Sequence, residues 1–237
     1  MEEIPPYINL VFVATTFATF GFAVYSVKTS FGKEKSNFPI VYGIFLIGWL
    51  CLTGILANKL FFYDLDFLPP KIFLFVAFFL LTSLSPLFSS RGRSMIRNMP
   101  ITSLTYLHII RVPVEIVLWW LFLEGKVPED MTFEGVNYDI LSGITAPFAA
   151  LFLVGGKTKF RIGAIIWNFI AIGLLFNVVI RAIMATPFFY DSSIFDAPNV
   201  AVLYAPFVWL PTFIVPLVLT AHIYSLYQLF TEKEEDY

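Results

Sequence analysis

The sequence predicts an all-α integral membrane bundle of seven transmembrane helices, and three observations carry that expectation. Hydrophobic residues make up 58% of the 237 positions, charged residues only 14%, and mean hydropathy is +0.80. Soluble domains run about 45–50% apolar and about 25% charged, so this chain has too little polar surface to cover itself in water. The apolar residues also gather into runs of spanning length, and basic residues gather in alternate loops between those runs. A net charge of −2 offers no surface matched to phosphates, so no nucleic-acid partner is expected.

A spanning helix needs about 20 mostly apolar residues at about 1.5 Å each. The first run covers residues 8–27 and the second 39–57. The third, 72–87, follows the helix-starting pair Pro69-Pro70. The fourth covers 101–123, the fifth 140–154, the sixth 162–185 and the seventh 200–229, all within a single domain, 1–237. The fifth is the weakest, because it reaches only about 22 Å as a helix before Gly155-Gly156 ends it.

Loop charge orients the bundle. Ten basic residues lie on one side: Lys28, Lys33, Lys35, Arg91, Arg93, Arg97, Lys157, Lys159, Arg161 and Lys233. The other side holds only Lys59, Lys71 and Lys126. Basic loops stay in the cytoplasm, so the N-terminus is expected outside and the C-terminus inside. The outer loops carry eleven acids, Glu2 to Asp196, which accumulate where bases are excluded and can also attract cations. The acidic start lacks the positive region of a signal peptide, and no internal repeat of the inverted-transporter kind stands out. Cys51 has no second cysteine to pair with and reads as a small apolar residue.

Polar residues inside the spans are the candidate site. His108, Arg111 and Glu115 follow a three-then-four spacing on the fourth helix, with Leu104 and Leu118 bracketing them. Each mid-span charge costs about 2.5–3.5 kcal/mol on insertion scales, so the stripe should face the interior, with Arg111 and Glu115 able to pair along the helix. Pro113 removes the amide that would bond the Ile109 carbonyl and predicts a kink there. On the sixth helix Gly173, Asn177 and Arg181 share a stripe: Gly173 admits a close helix, Asn177 bridges, and Arg181 either joins the site or reaches to the outer surface. Asn168 falls on the opposite face, as separate helix glue. On the seventh helix Pro206, Pro211 and Pro216 predict bends that free carbonyls, while Tyr204, Pro211, Val215, Val218, His222 and Ser225 share a stripe. His108 and His222 lie at similar depth and either meet, as a hydrogen-bonded pair or as metal or haem ligands, or are satisfied separately; the latter is favoured. Asn137 and Asp139 are expected to cap the fifth helix, whose Ser142, Ala146 and Ala149 form a small-residue packing stripe.

Residues 200–229 contain no lysine for a retinal Schiff base, and two histidines are too few for the three-histidine zinc hydrolases. The run Leu107-His108-Ile109-Ile110-Arg111-Val112-Pro113-Val114-Glu115, with Thr132 to Asp139, Ala146-Pro147 and the segment from Pro206 to Pro211, resembles a group of bacterial seven-span membrane proteins without assigned activity. That resemblance implies a multi-pass protein of the bacterial inner membrane and transfers no ligand.

The expected function is a small-ligand sensor or facilitator with a polar pocket between the fourth, sixth and seventh spans. Its ligand-binding residues are Arg111, Glu115, His108, Asn177, Arg181 and His222. No catalytic residue, metal or cofactor is assigned. The alternatives are a membrane-embedded enzyme or redox protein acting on a lipid or isoprenoid, with Glu115 as acid–base group or the two histidines holding a haem or metal, and a scaffold subunit with a partner membrane protein.

Overall fold

The computed structural model describes residues 4–32, 35–64, 66–155 and 160–231, and all of the regular structure among them is helical. Lys33, Lys157, Lys159, Lys233, Glu2, Glu3 and the acidic tail lie outside the described residues. Six helical stretches are long and apolar enough to cross a membrane, and a seventh apolar helix, Ile140–Leu153, is shorter.

The helices run alternately up and down. α1 (Pro6–Ser30) begins with proline in its first turn, where the missing amide costs nothing, and α2 (Phe38–Asn58) does the same. α3 (Lys71–Leu84) tightens into a 3₁₀ turn at Ser85–Phe88, around Pro86. The segment expected as a loop, 88–100, contains a short helix, α4 (Ser90–Arg97), whose Ser89 hydroxyl caps the Gly92 amide at 3.0 Å. The fourth span is α5 (Ile101–Tyr106), a 3₁₀ segment Leu107–Ile110, and α6 (Arg111–Leu123). The tightening falls just before Pro113, where the expected irregularity lies.

α7 (Ile140–Phe148) ends in a π-helical turn, Ala149–Leu153, and α8 (Arg161–Met184) is unbroken. The last span begins later than expected. Residues 201–203 form a separate 3₁₀ turn, and a π-helical turn at Leu210–Ile214 leads into α9 (Val215–Thr231). Pro206 sits in the connection, so Tyr204 is not on the stripe with His222. Pro216 cannot donate to the Thr212 carbonyl, and the Trp49 indole of α2 fills that role at 2.9 Å. Trp209 returns the bond to the Leu50 carbonyl at 3.0 Å.

The upper end of the bundle carries Pro6, Leu123 and Met184, where Tyr7 meets Trp120 edge to face. The lower end carries Ser30, Arg161 and Thr231. There Ser26 and Ser103 hydrogen-bond at 2.8 Å, and Gln228 donates to the Ile96 carbonyl at the end of α4 and to the Met99 carbonyl just beyond it. The π turn and α9 are central, with 72% of their apolar window buried, whereas α3 is peripheral at 11%. Large apolar side chains face outward along α1, α2, α3 and α8, among them Leu10, Ile44, Leu81 and Phe169. Such a continuous apolar exterior is foreign to soluble monomers and compatible with a membrane-spanning protein.

Candidate functional site

The polar core is assembled around Arg111, the first residue of α6, which is buried. Its partner is not Glu115. The guanidinium makes a two-pronged contact with Asp139, Nε to Oδ2 at 2.7 Å and Nη2 to Oδ1. Nη2 also donates to the Ala171 carbonyl of α8 at 2.9 Å, and Nη1 lies 3.2 Å from His222 Nε2 of α9. One side chain thus ties α6 to α7, α8 and α9.

The donor geometry fixes the histidine. Arginine has only donors, so His222 Nε2 must accept and its proton sits on Nδ1. Nδ1 then donates to Asn168 Oδ1 at 2.8 Å, and Asn168 Nδ2 donates to the Ala164 carbonyl at 2.9 Å. Asn168 therefore belongs to the site instead of standing apart as glue. His222 is neutral, with both nitrogens engaged.

Glu115 stands one turn above Arg111 and is 1% exposed. Its Oε2 accepts from Asn137 Nδ2 at 2.6 Å. Asn137 also donates to the Met131 carbonyl, and its Oδ1 accepts the Asp139 amide at 2.9 Å, forming the turn that starts α7. The capping expected of Asp139 does not occur: its side chain makes no cap bond and is spent on Arg111. The reason is depth. Asp139 and Asn137 reach Arg111 and Glu115 near the middle of the stretch Ile101–Leu123, so the segment 124–139 descends from the upper end into the bundle, and α7 starts deep. Val127, Met131, Thr132, Asn137 and Asp139 are all buried. Irregular backbone at such depth persists only where protein or a cavity satisfies it.

Arg181 and Asn177 hold this descending loop. Arg181 Nη1 pairs with Asp130 at 2.7 Å, its Nε donates to Asn177 Oδ1 at 3.2 Å, and Asn177 donates to the Val136 carbonyl at 2.7 Å. Neither residue lines the cavity described below. Gly173, expected at a close helix crossing, is exposed, and a Cβ added there would meet nothing within 4 Å. The close crossing is at Gly143, where a Cβ would stand 2.8 Å from Val112 Cγ2 and 2.9 Å from the Val112 amide nitrogen. Only glycine lets α7 lie so close to α6 beside Arg111. The stripe Ser142, Ala146 and Ala149 is buried, as its packing role requires.

His108 and His222 do meet, but face to face, with ring centroids 3.8 Å apart and planes 19° from parallel. Trp167 packs against both, at 5.5 and 5.7 Å. With its nitrogens committed to Arg111 and Asn168, His222 has no lone pair left for a metal or haem. Among the described residues no group of three or more His, Cys, Asp or Glu is arranged to hold a metal ion. One turn below Arg111, Asp139 and His222 lie His108, Ser142 and Ser225. Both His108 nitrogens and both hydroxyls are buried with no hydrogen-bond partner among the described residues.

Above the Arg111 network lies a cavity of about 120 Å³. Its polar end is Arg111, Glu115 and Asp139; its walls are apolar, including Val76 of α3, Val179 and Ile183 of α8, and Ile214 and Val218 of the last span. The third span thus joins the fourth, sixth and seventh in lining it.

A family model described as Domain of unknown function (DUF8737) matches residues 69–230. The chain belongs to this family. The DUF8737 match leaves out α1 and α2 and takes in every residue of the polar core and all of the cavity lining. No curated protein and no solved structure matches the chain.

Proposed function

We propose that this DUF8737 member is a seven-span protein of the bacterial inner membrane, N-terminus outside, that receives a small ligand in the cavity above Arg111 and acts as a sensor or facilitator. The orientation rests on charge: Lys28, Lys35, Arg91, Arg93, Arg97 and Arg161 lie at the lower end, against Lys59, Lys71 and Lys126 at the upper. The short α7 counts as the fifth crossing because the buried loop 124–139 completes its path.

The observation that carries the ligand reading is Glu115. Arg111 is already paired with Asp139, so Glu115 is a second carboxyl group on the cavity lining, one turn from the guanidinium and hydrogen-bonded to a neutral amide. Buried ionisable groups in membrane helices default to function, and a cavity ending on one is the default binding site. Arg111 positions the site; most of its donors are spent within the protein. The test is native mass spectrometry of the purified full chain in mild detergent beside Val179→Trp, which fills the cavity from a partly exposed wall. A small molecule retained by the wild type and lost from the variant is expected; identical spectra would overturn the reading.

One observation favours a second reading, the scaffold subunit: Arg111 fastens four helices as a purely structural lock would. A fixed partner protein co-purifying at constant ratio, with no retained small molecule, would select it. The enzyme reading keeps only Glu115 as an acid–base group, because His222 is fully engaged.

A further inference from the structure

We propose that the cavity takes a single-chain amphiphile with one ammonium head, which enters sideways between α3 and α8 and sets its charge against Glu115. This inference rests on the pocket reading above and adds the ligand's chemical class.

Charge selects the head. At the cavity's polar end Arg111 supplies one positive charge and Asp139 cancels it, while His222 is neutral by its hydrogen bonding. Glu115 adds a second carboxyl, one turn from Arg111, whose hydrogen-bond donor is the uncharged Asn137 amide. A buried carboxyl ionises at least cost beside a cation of its own, and one ammonium supplies that counter-charge. An anionic head would meet two carboxylates instead. A second acceptor lies elsewhere on the lining: Asn199 Oδ1 is buried and has no donor, since its amide nitrogen is spent on the Ala182 carbonyl. An ammonium carries three donors and no acceptor, which suits such a lining.

Shape selects the tail. About 120 Å³ is well below the roughly 300–1,000 Å³ of pockets for drug-sized ligands, so the cavity admits one narrow end of a molecule. Phe73 and Val76 of α3 and Val179 and Ile183 of α8 line it and are also partly exposed, so the wall is continuous with the apolar exterior between those helices. A hydrocarbon chain leaving there stays among apolar groups. Below, the guanidinium of Arg111 bars a cation from the lower end, so the ligand stops at Glu115.

The test uses the full chain in lipid nanodiscs and three alkyl probes of equal length, each with a diazirine in the chain, bearing an amine, an alcohol or a carboxylic acid. Adducts are mapped by peptide mass spectrometry after irradiation. The amine is expected to mark α3 around Val76 and α8 around Val179 and Ile183, competed by excess unlabelled alkylamine, and to exceed the acid by about tenfold or more, the ratio a buried charge partner confers. Glu115→Gln should lose that preference, and Val179→Trp should lose labelling by every probe. Equal marking by amine and acid in the wild type overturns the ammonium assignment without any variant, as does unchanged amine preference in Glu115→Gln. If Val179→Trp still abolishes labelling in that case, the pocket stands and only the head group falls. Absence of competed labelling by all three probes overturns both.

Discussion

Asp139→Asn probes the polar core most sharply. It keeps the shape of the side chain, removes its charge and turns an amide NH₂ toward the guanidinium. Breaking a buried ion pair from one side costs about 3–5 kcal/mol, because the surviving charge is left without compensation. Arg111 retains His222 Nε2 and the Ala171 carbonyl, and Glu115 lies one turn away, so the low end, about 3 kcal/mol, applies. For a chain of this length each kcal/mol shifts the unfolding midpoint by about 2–4 °C, which gives a loss of about 6–12 °C. Thermal unfolding in detergent, followed by tryptophan fluorescence, reads it directly. Adding Arg111→Met to Asp139→Asn should recover part of the loss, since the pair is then absent from both sides. Glu115→Gln should cost less than about 1 kcal/mol, because glutamine still accepts from Asn137 and Arg111 keeps its closer partner Asp139. A midpoint for Asp139→Asn within about 1 °C of wild type, or strict additivity in the double variant, would refute this reasoning.

The two mid-helix glycines should behave oppositely. Gly143→Ala collides with the Val112 backbone and should lose about 1–3 kcal/mol in the same unfolding assay, whereas Gly173→Ala meets open space and should leave the midpoint unchanged or raise it. The stacked histidines differ in the same way. His222→Phe strips partners from Arg111 and Asn168 and should cost about 1–3 kcal/mol, while His108→Phe removes only unpartnered nitrogens and should cost less than His222→Phe. For topology, Ser192→Cys should react with a membrane-impermeant maleimide on intact cells and Arg91→Cys only after lysis; the reverse would invert the bundle.

Hydropathy made the long helices legible. The first, second, third, fourth and sixth runs match helices within a few residues, because each is a long, predominantly apolar stretch ended by polar or proline residues. The last helix begins later than its apolar run for a physical reason: residues 200–209 are as apolar as a helix, and hydropathy does not distinguish an apolar connection from a span. The fifth run looked weak because it starts deep, and that same weakness, beside an acidic residue directly before its first apolar position, was the available signal that Asp139 lies within the bundle. The spacing of His108, Arg111 and Glu115 correctly read as an inward face, but neighbours on one helix drew Arg111 toward Glu115. Its actual partner is 28 positions away, across a loop whose descent no periodicity records. Asn137 and Asn168 were missed as site residues for the same reason: each is defined by what another element brings to it.

The central claim is that Glu115 lines an apolar hollow as a second carboxyl group, outside the Arg111–Asp139 pair. A cryo-EM map of the protein in lipid nanodiscs, detailed enough to place side chains, tests it most directly. Glu115 should lie on Asn137, Arg111 on Asp139, and a void or a bound guest should separate α3 from α8 beside them. Glu115 turned onto Arg111 in place of Asp139, with α3 and α8 side chains closed against each other, would contradict it.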